Sequence, residues 1–190
     1  MTKEQLVLNL NSGRLSKSRI DSLVQSLLNH HELVQPLLIE VFRQDKNDEF
    51  NASWVFDHLM RKKLGLLLPH LELFTLEIKQ LTSESCIRPI AHTCQLLAEA
   101  YFKKKNQEVI ESMTSTQLER LVDCCFDWLI EEHKIASKVF AMTTLFHLGK
   151  RFEWIHPELK IILEKNIGSG TSGYRNRGKK TLDMLVALGH

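Results

Sequence analysis

A chain of 190 residues with 43% hydrophobic and 25% charged side chains removes roughly 70% of its unfolded surface from water on folding, so a core needs no staples. That balance excludes a disordered segment, and the formal charge of +2 is close to neutral. No stretch approaches the run of about 18 apolar residues that a membrane span requires.

The opening segment, MTKEQLVLNLNSGRLSK, has no cationic leader, long apolar run or small-residue cleavage site, so a cytoplasmic protein without membrane contact is expected. A short helix from Lys3 to Leu10 leads the chain. Apolar spacing of three and four then predicts helix pairs at about 18 to 30 and 32 to 44, and at about 50 to 63 and 69 to 81. A third pair falls at about 84 to 105 and 116 to 132, a fourth at about 134 to 151 and 157 to 167, and a last helix at about 172 to 188. The segments NQEVIESMTSTQ and IGSGTSG read as breaks, the second being rich in glycine and serine.

Pro36, Pro69 and Pro157 follow Leu28, Leu59 and Leu148 by eight to ten residues, and each reads as an early residue of a second helix. Pro89 reads as a first-turn residue of a long first helix. Within first helices a small residue precedes large ones four and seven positions on: Ala52, Phe56, Leu59; Ala141, Leu145, Leu148; Gly178, Leu182, Leu185. Cys94, Ala98 and Tyr101 follow the pattern loosely. Such spacing places the small residue where a neighbouring helix approaches and the large ones on the same face. First helices recur at uneven intervals, which excludes a strict tetratricopeptide array. Cys86 and Cys94 sit on one predicted helix about 12 Å apart, too far for a bridge, and reduced buried thiols are expected.

Hairpins with a small packing residue, a Leu-x-x-Leu ending and a proline opening the second helix resemble HEAT and armadillo-type repeats. The resemblance implies an all-α fold, an α-α superhelix of about four hairpins with a C-terminal capping helix, in one domain over residues 1–190. NASWVFDHL, CCFDWLIEE and KRFEWIHPELKIILE are similar to a family of small bacterial helical-repeat proteins. Some of its members are described as adenylosuccinate lyases. That lyase family has a Ser-rich signature loop containing Met-Pro-Lys, and GSGTSGYRNRGKK has neither the methionine nor the proline.

No catalytic constellation accompanies these helices. GYRNRGKKT approaches the phosphate-loop form G-x-x-x-x-G-K-[ST], yet Lys180 stands where a hydroxyl should meet magnesium, and a helix precedes it in place of a strand. The nine histidines include no pair at metal-binding helical spacing, and no metal or cofactor is expected. Trp54, Trp128 and Trp154 stand near Asp57, Asp127 and Glu153. An aromatic beside a carboxylate resembles the damaged-base site of helical-repeat alkylpurine DNA glycosylases. Those enzymes place the Trp four residues before the Asp, whereas Trp54 precedes Asp57 by three.

Charge distinguishes the two sets of helices. First helices carry a large excess of Lys and Arg, second helices an excess of Asp and Glu, and the near-neutral total hides this. In a HEAT-like array second helices line the concave wall, which makes Asp123, Asp127, Glu131 and Glu132, with Trp128 among them, the candidate partner-binding surface. Glu72 and Glu77 are further candidates. The triplets Arg61, Lys62, Lys63 and Lys103, Lys104, Lys105 fall at predicted helix C-termini, where cations are favourable. Arg175, Arg177, Lys179 and Lys180 fall near a helix start and form the candidate nucleic-acid patch. The function expected is a non-enzymatic scaffold for a protein or peptide segment, with nucleic-acid binding or base repair as the alternative.

Overall fold

The computed structural model describes residues 1–43 and 49–190. Eleven α-helices occur among them and no strand, so the chain is all-α. It divides into two compact units, Met1–Leu96 and Leu97–His190.

The first unit contains α1 (Lys3–Leu10), α2 (Lys17–Leu27), α3 (Val34–Phe42), α4 (Glu49–Lys62), α5 (Leu71–Glu77) and most of α6 (Glu84–Ala98). Helix α1 starts because Thr2 and Gln5 cap each other: the Gln5 amide donates to the Thr2 hydroxyl at 3.3 Å and the Thr2 amide donates to the Gln5 side chain at 2.9 Å. Helix α4 is the centre of the unit, packed against α1, α2 and α3. Its apolar positions Ala52, Val55, Phe56 and Leu59 are all buried, and the Phe56 ring lies 6.0 Å from that of Phe74 on α5. Phe42 of α3 completes the aromatic cluster at 6.3 Å from Phe74.

The second unit contains a π-helical turn (Glu99–Lys103), α7 (Gln107–Ser112), α8 (Ser115–Ile130), α9 (Ile135–Leu148), α10 (Ile155–Asn166) and α11 (Ser172–Ala187). Here α9 is central, packed against α8, α10, α11 and the π turn. Every residue from 141 to 148 is buried, as a helix surrounded on all sides requires. At its end Gly149 is obligatory by close approach, since a Cβ there would lie 2.0 Å from the His156 ring.

The predicted packing positions are found in the cores: Ala52, Phe56, Leu59, Ala141, Leu145, Leu148, Gly178, Leu185, Cys94 and Ala98 are buried, while Leu182 and Tyr101 are half-buried. All four cysteines are buried, and desolvation pushes the Cys125 thiol up to about 12. Other expectations need correction. The stretch 106 to 117 is not simply a break, because Asn106 caps α7 by accepting from the Val109 amide at 3.1 Å. Pro69 lies in a 3₁₀ segment, Leu64–His70, and α5 starts after it. Pro36 and Pro157 are third residues of α3 and α10. Pro89 is the sixth residue of α6, past the first turn, so the Ser85 carbonyl has no amide to receive from that position. The predicted helix 84 to 105 passes into the π turn after Ala98, and residue 44 of the predicted helix 32 to 44 lies outside the described residues.

Candidate partner surface on the second unit

Helix α8 buries one broad face through Leu118, Leu121, Val122, Cys124, Cys125, Trp128 and Leu129. Its other face is acidic. Glu119 and Asp123 are exposed and Asp127 is half-buried, each one turn beyond the last, so the three carboxylates form a stripe. Glu131, whose side chain is 66% exposed, and Glu132 follow at the end of the helix. No basic residue occupies the last turn of α8. Negative charge at a helix C-terminus opposes the helix dipole by about 0.3–1 kcal/mol per group. The helix dipole therefore does not account for Glu131 and Glu132 at this end.

Partners are few. Asp123 and Glu132 have none among the described residues, Glu119 accepts from the Ser115 hydroxyl at 3.3 Å, and Glu131 faces His133 at 3.5 Å. Trp128, grouped with these acids on sequence grounds, is 3% exposed and belongs to the core. The aromatic at the surface is Trp154, immediately before α10, which is 55% exposed and stacks on Phe126 of α8 with centroids 5.6 Å apart and planes at 16°. Ile130, one turn beyond Phe126, is 62% exposed. On α10 the exposed residues Glu158 and Ile161 continue the side on which Trp154 stands. The surface thus alternates carboxylates with large apolar side chains.

Trp154 could not be told from Trp128 in the sequence, both being tryptophans next to an acid. Each also directly precedes a buried aliphatic, Leu129 and Ile155, so neither the acid nor the following residue marks which tryptophan is exposed. In the first unit the matching second helices also each expose one aliphatic, Ile39 on α3 and Leu76 on α5, with Glu72 exposed and Glu77 half-buried.

The C-terminal cations spread round about 200° of helix α11. Arg175 and Lys179 share a face of α11, Lys180 lies about 100° round from Lys179, and all three are exposed; Arg177 is half-buried about 60° beyond Lys180, opposite Arg175 and Lys179. The helix starts at Ser172, capped by Thr171, which puts Lys179 and Lys180 beyond the reach of its N-terminal dipole. Residues 173 to 181, the near phosphate loop, are helical throughout, and Gly178 is packed where a Cβ would meet Ile167 at 3.2 Å.

The Trp54 neighbourhood is already neutralised. Asp57 is 2% exposed, and its carboxylate accepts from Arg61 at 2.7 Å and from His92 Nδ1 at 2.5 Å. The Arg88 guanidinium lies 5.5 Å from the Trp54 ring centroid. A cationic base would meet cations where the glycosylase resemblance requires an open carboxylate. Among the described residues no group of three His, Cys, Asp or Glu side chains could hold a metal ion, and no helix is long and apolar enough to cross a membrane.

Comparison of the chain with protein-family models, with curated proteins and with solved structures found no match in any of the three.

Proposed function

We propose that this protein is a non-enzymatic scaffold, a HEAT- or armadillo-like superhelix whose second helices bind a basic protein or peptide segment. Support for the array comes from packing between neighbours in the chain: α9 meets the preceding α8, its own partner α10 and the following α11, and α4 meets α2 and α3. The observation that carries the binding reading is the acid stripe of α8, continued at the helix end by Glu131 and Glu132 against the dipole and interleaved with exposed Ile130 and Trp154. A surface of this kind repels phosphate and attracts segments that combine cationic and apolar side chains.

Affinity capture with wild-type protein, with Asp123→Lys/Asp127→Lys/Glu131→Lys, and with Glu4→Lys/Glu32→Lys/Glu108→Lys as a charge-matched control at exposed acids outside this surface tests the reading. Proteins with basic segments should be recovered by wild type and control and depleted at least about tenfold by the triple variant, as loss of close charge pairs across an interface implies. An unchanged set of captured proteins would remove the basis for the proposal. Nucleic-acid binding through Arg175, Lys179 and Lys180 is the second reading, favoured by the exposure of all three.

A further inference from the structure

Among the described residues two aromatic rings already carry a cation. The Arg88 guanidinium sits over Trp54 and the Lys150 ammonium over Phe146, each 5.5 Å from the ring centroid. Trp154 differs: it has Phe126 on one face, more than half of its surface open, and no cation over it among the described residues. Glu153 precedes it in the chain, and on α8 Asp123 lies one turn before its stacking partner Phe126 and Asp127 directly after it.

We infer that Trp154, backed by Phe126, is the anchor that takes an arginine or lysine side chain of the bound segment by cation–π contact, with Asp123 and Asp127 closing around the charge. The inference rests on the reading of this surface as the binding face and adds which residue dominates it. Three physical points support it. A cation over an indole is attracted by the ring quadrupole, most strongly for tryptophan among the aromatics. The stack on Phe126 fixes the indole plane before binding, so little side-chain freedom is lost on docking. Tryptophan and arginine dominate the energetics of interfaces, and here the chain supplies the first and an acidic setting for the second. Ile130 offers an apolar contact one turn away for a neighbouring aliphatic of the partner.

Selection of a phage-displayed library of random dodecapeptides on the full chain, followed by affinity measurement on Trp154→Leu, Trp154→Phe and Asp123→Lys/Asp127→Lys, decides the matter. Selected peptides should be enriched in Arg or Lys beside apolar residues. Their affinity should fall at least about tenfold on Trp154→Leu, which keeps apolar bulk without a π face, and stay within about threefold on Trp154→Phe. Basic peptides lost on Asp123→Lys/Asp127→Lys but indifferent to Trp154→Leu would overturn the anchor and leave the acidic face standing. No binders, or binders without basic enrichment, would overturn both. Should Trp154→Leu lose helicity, fluorotryptophan-labelled wild type replaces it, and a Trp154 resonance that does not move on peptide addition overturns the anchor.

Discussion

His147 is 6% exposed, its Nδ1 has no hydrogen-bond partner, and its ring meets Phe146 edge-on at 5.4 Å. Desolvation, helped by the Lys150 and Lys103 charges against the opposing Glu99, lowers it from the ordinary 6.5 to about 4. His156 is also lowered, first by burial; its Nε2 donates to the Phe146 carbonyl at 2.9 Å, which makes Nδ1 the acceptor of His190 at 3.1 Å. The unfolded chain takes up a proton at 147 below pH 6.5, whereas the folded chain does so only near 4. Stability is therefore full above that window and declines as pH falls through it, by as much as about 3 kcal/mol from this group. His147→Leu should flatten the decline, read as the urea midpoint at neutral pH against that near pH 4.5; an undiminished slope would assign the effect elsewhere. Lys105 is a second special residue, the one described non-glycine at positive φ, 51°, where the chain leaves the π turn.

At the scale of elements, Asn51 ties α4 to the loop between α1 and α2. Its side-chain amide donates to the Leu10 and Gly13 carbonyls, both at 2.9 Å, and its oxygen accepts from the Leu15 amide at 3.3 Å. The residue is 1% exposed, so Asn51→Ala removes a partner from three backbone groups, of which the Leu10 carbonyl is buried and the other two are part-buried. A loss of about 2 kcal/mol is expected, within the range for an unsatisfied buried group, with α1 amides exchanging faster with solvent. Unchanged exchange in α1 would show that the loop holds without it. Most helices were legible from apolar spacing because each buries one face; α2, α4, α8, α9, α10 and α11 lie within a few residues of their predicted spans. Helix α7 was missed because six residues are too few to show a period. The local chemistry that starts α7 and α8 was nevertheless present, as the Asn106 cap and the Thr114–Gln117 capping box. Pro89 misled for the opposite reason, since a proline is tolerated past the first turn where packing holds the helix together.

For the whole molecule, the two proposed modes of binding respond differently to salt and to site. An acidic surface holding a basic segment loses affinity with salt and is abolished by lysines at Asp123 and Asp127. Duplex binding through Arg175, Lys179 and Lys180 would show a log–log salt slope of about −2.7 from three neutralised phosphates and ignore those substitutions. A gel shift in low salt is expected to be negative for the wild type; a shift abolished by Lys179→Glu/Lys180→Glu would transfer the function to α11.

The amino-acid sequence by itself determined that this chain is helical, where most of its helices lie, and that acids concentrate on alternate ones, because helical periodicity and charge are properties of short windows. Tertiary structure decided which of those side chains face outward. Trp128 and Trp154 have similar neighbours in the chain, yet one is buried and the other 55% exposed, and Arg177 turns away from Arg175 and Lys179. The physical reason is that a side chain's exposure depends on which helix comes to lie against it, and that contact joins residues such as Phe126 and Trp154 that are far apart in sequence.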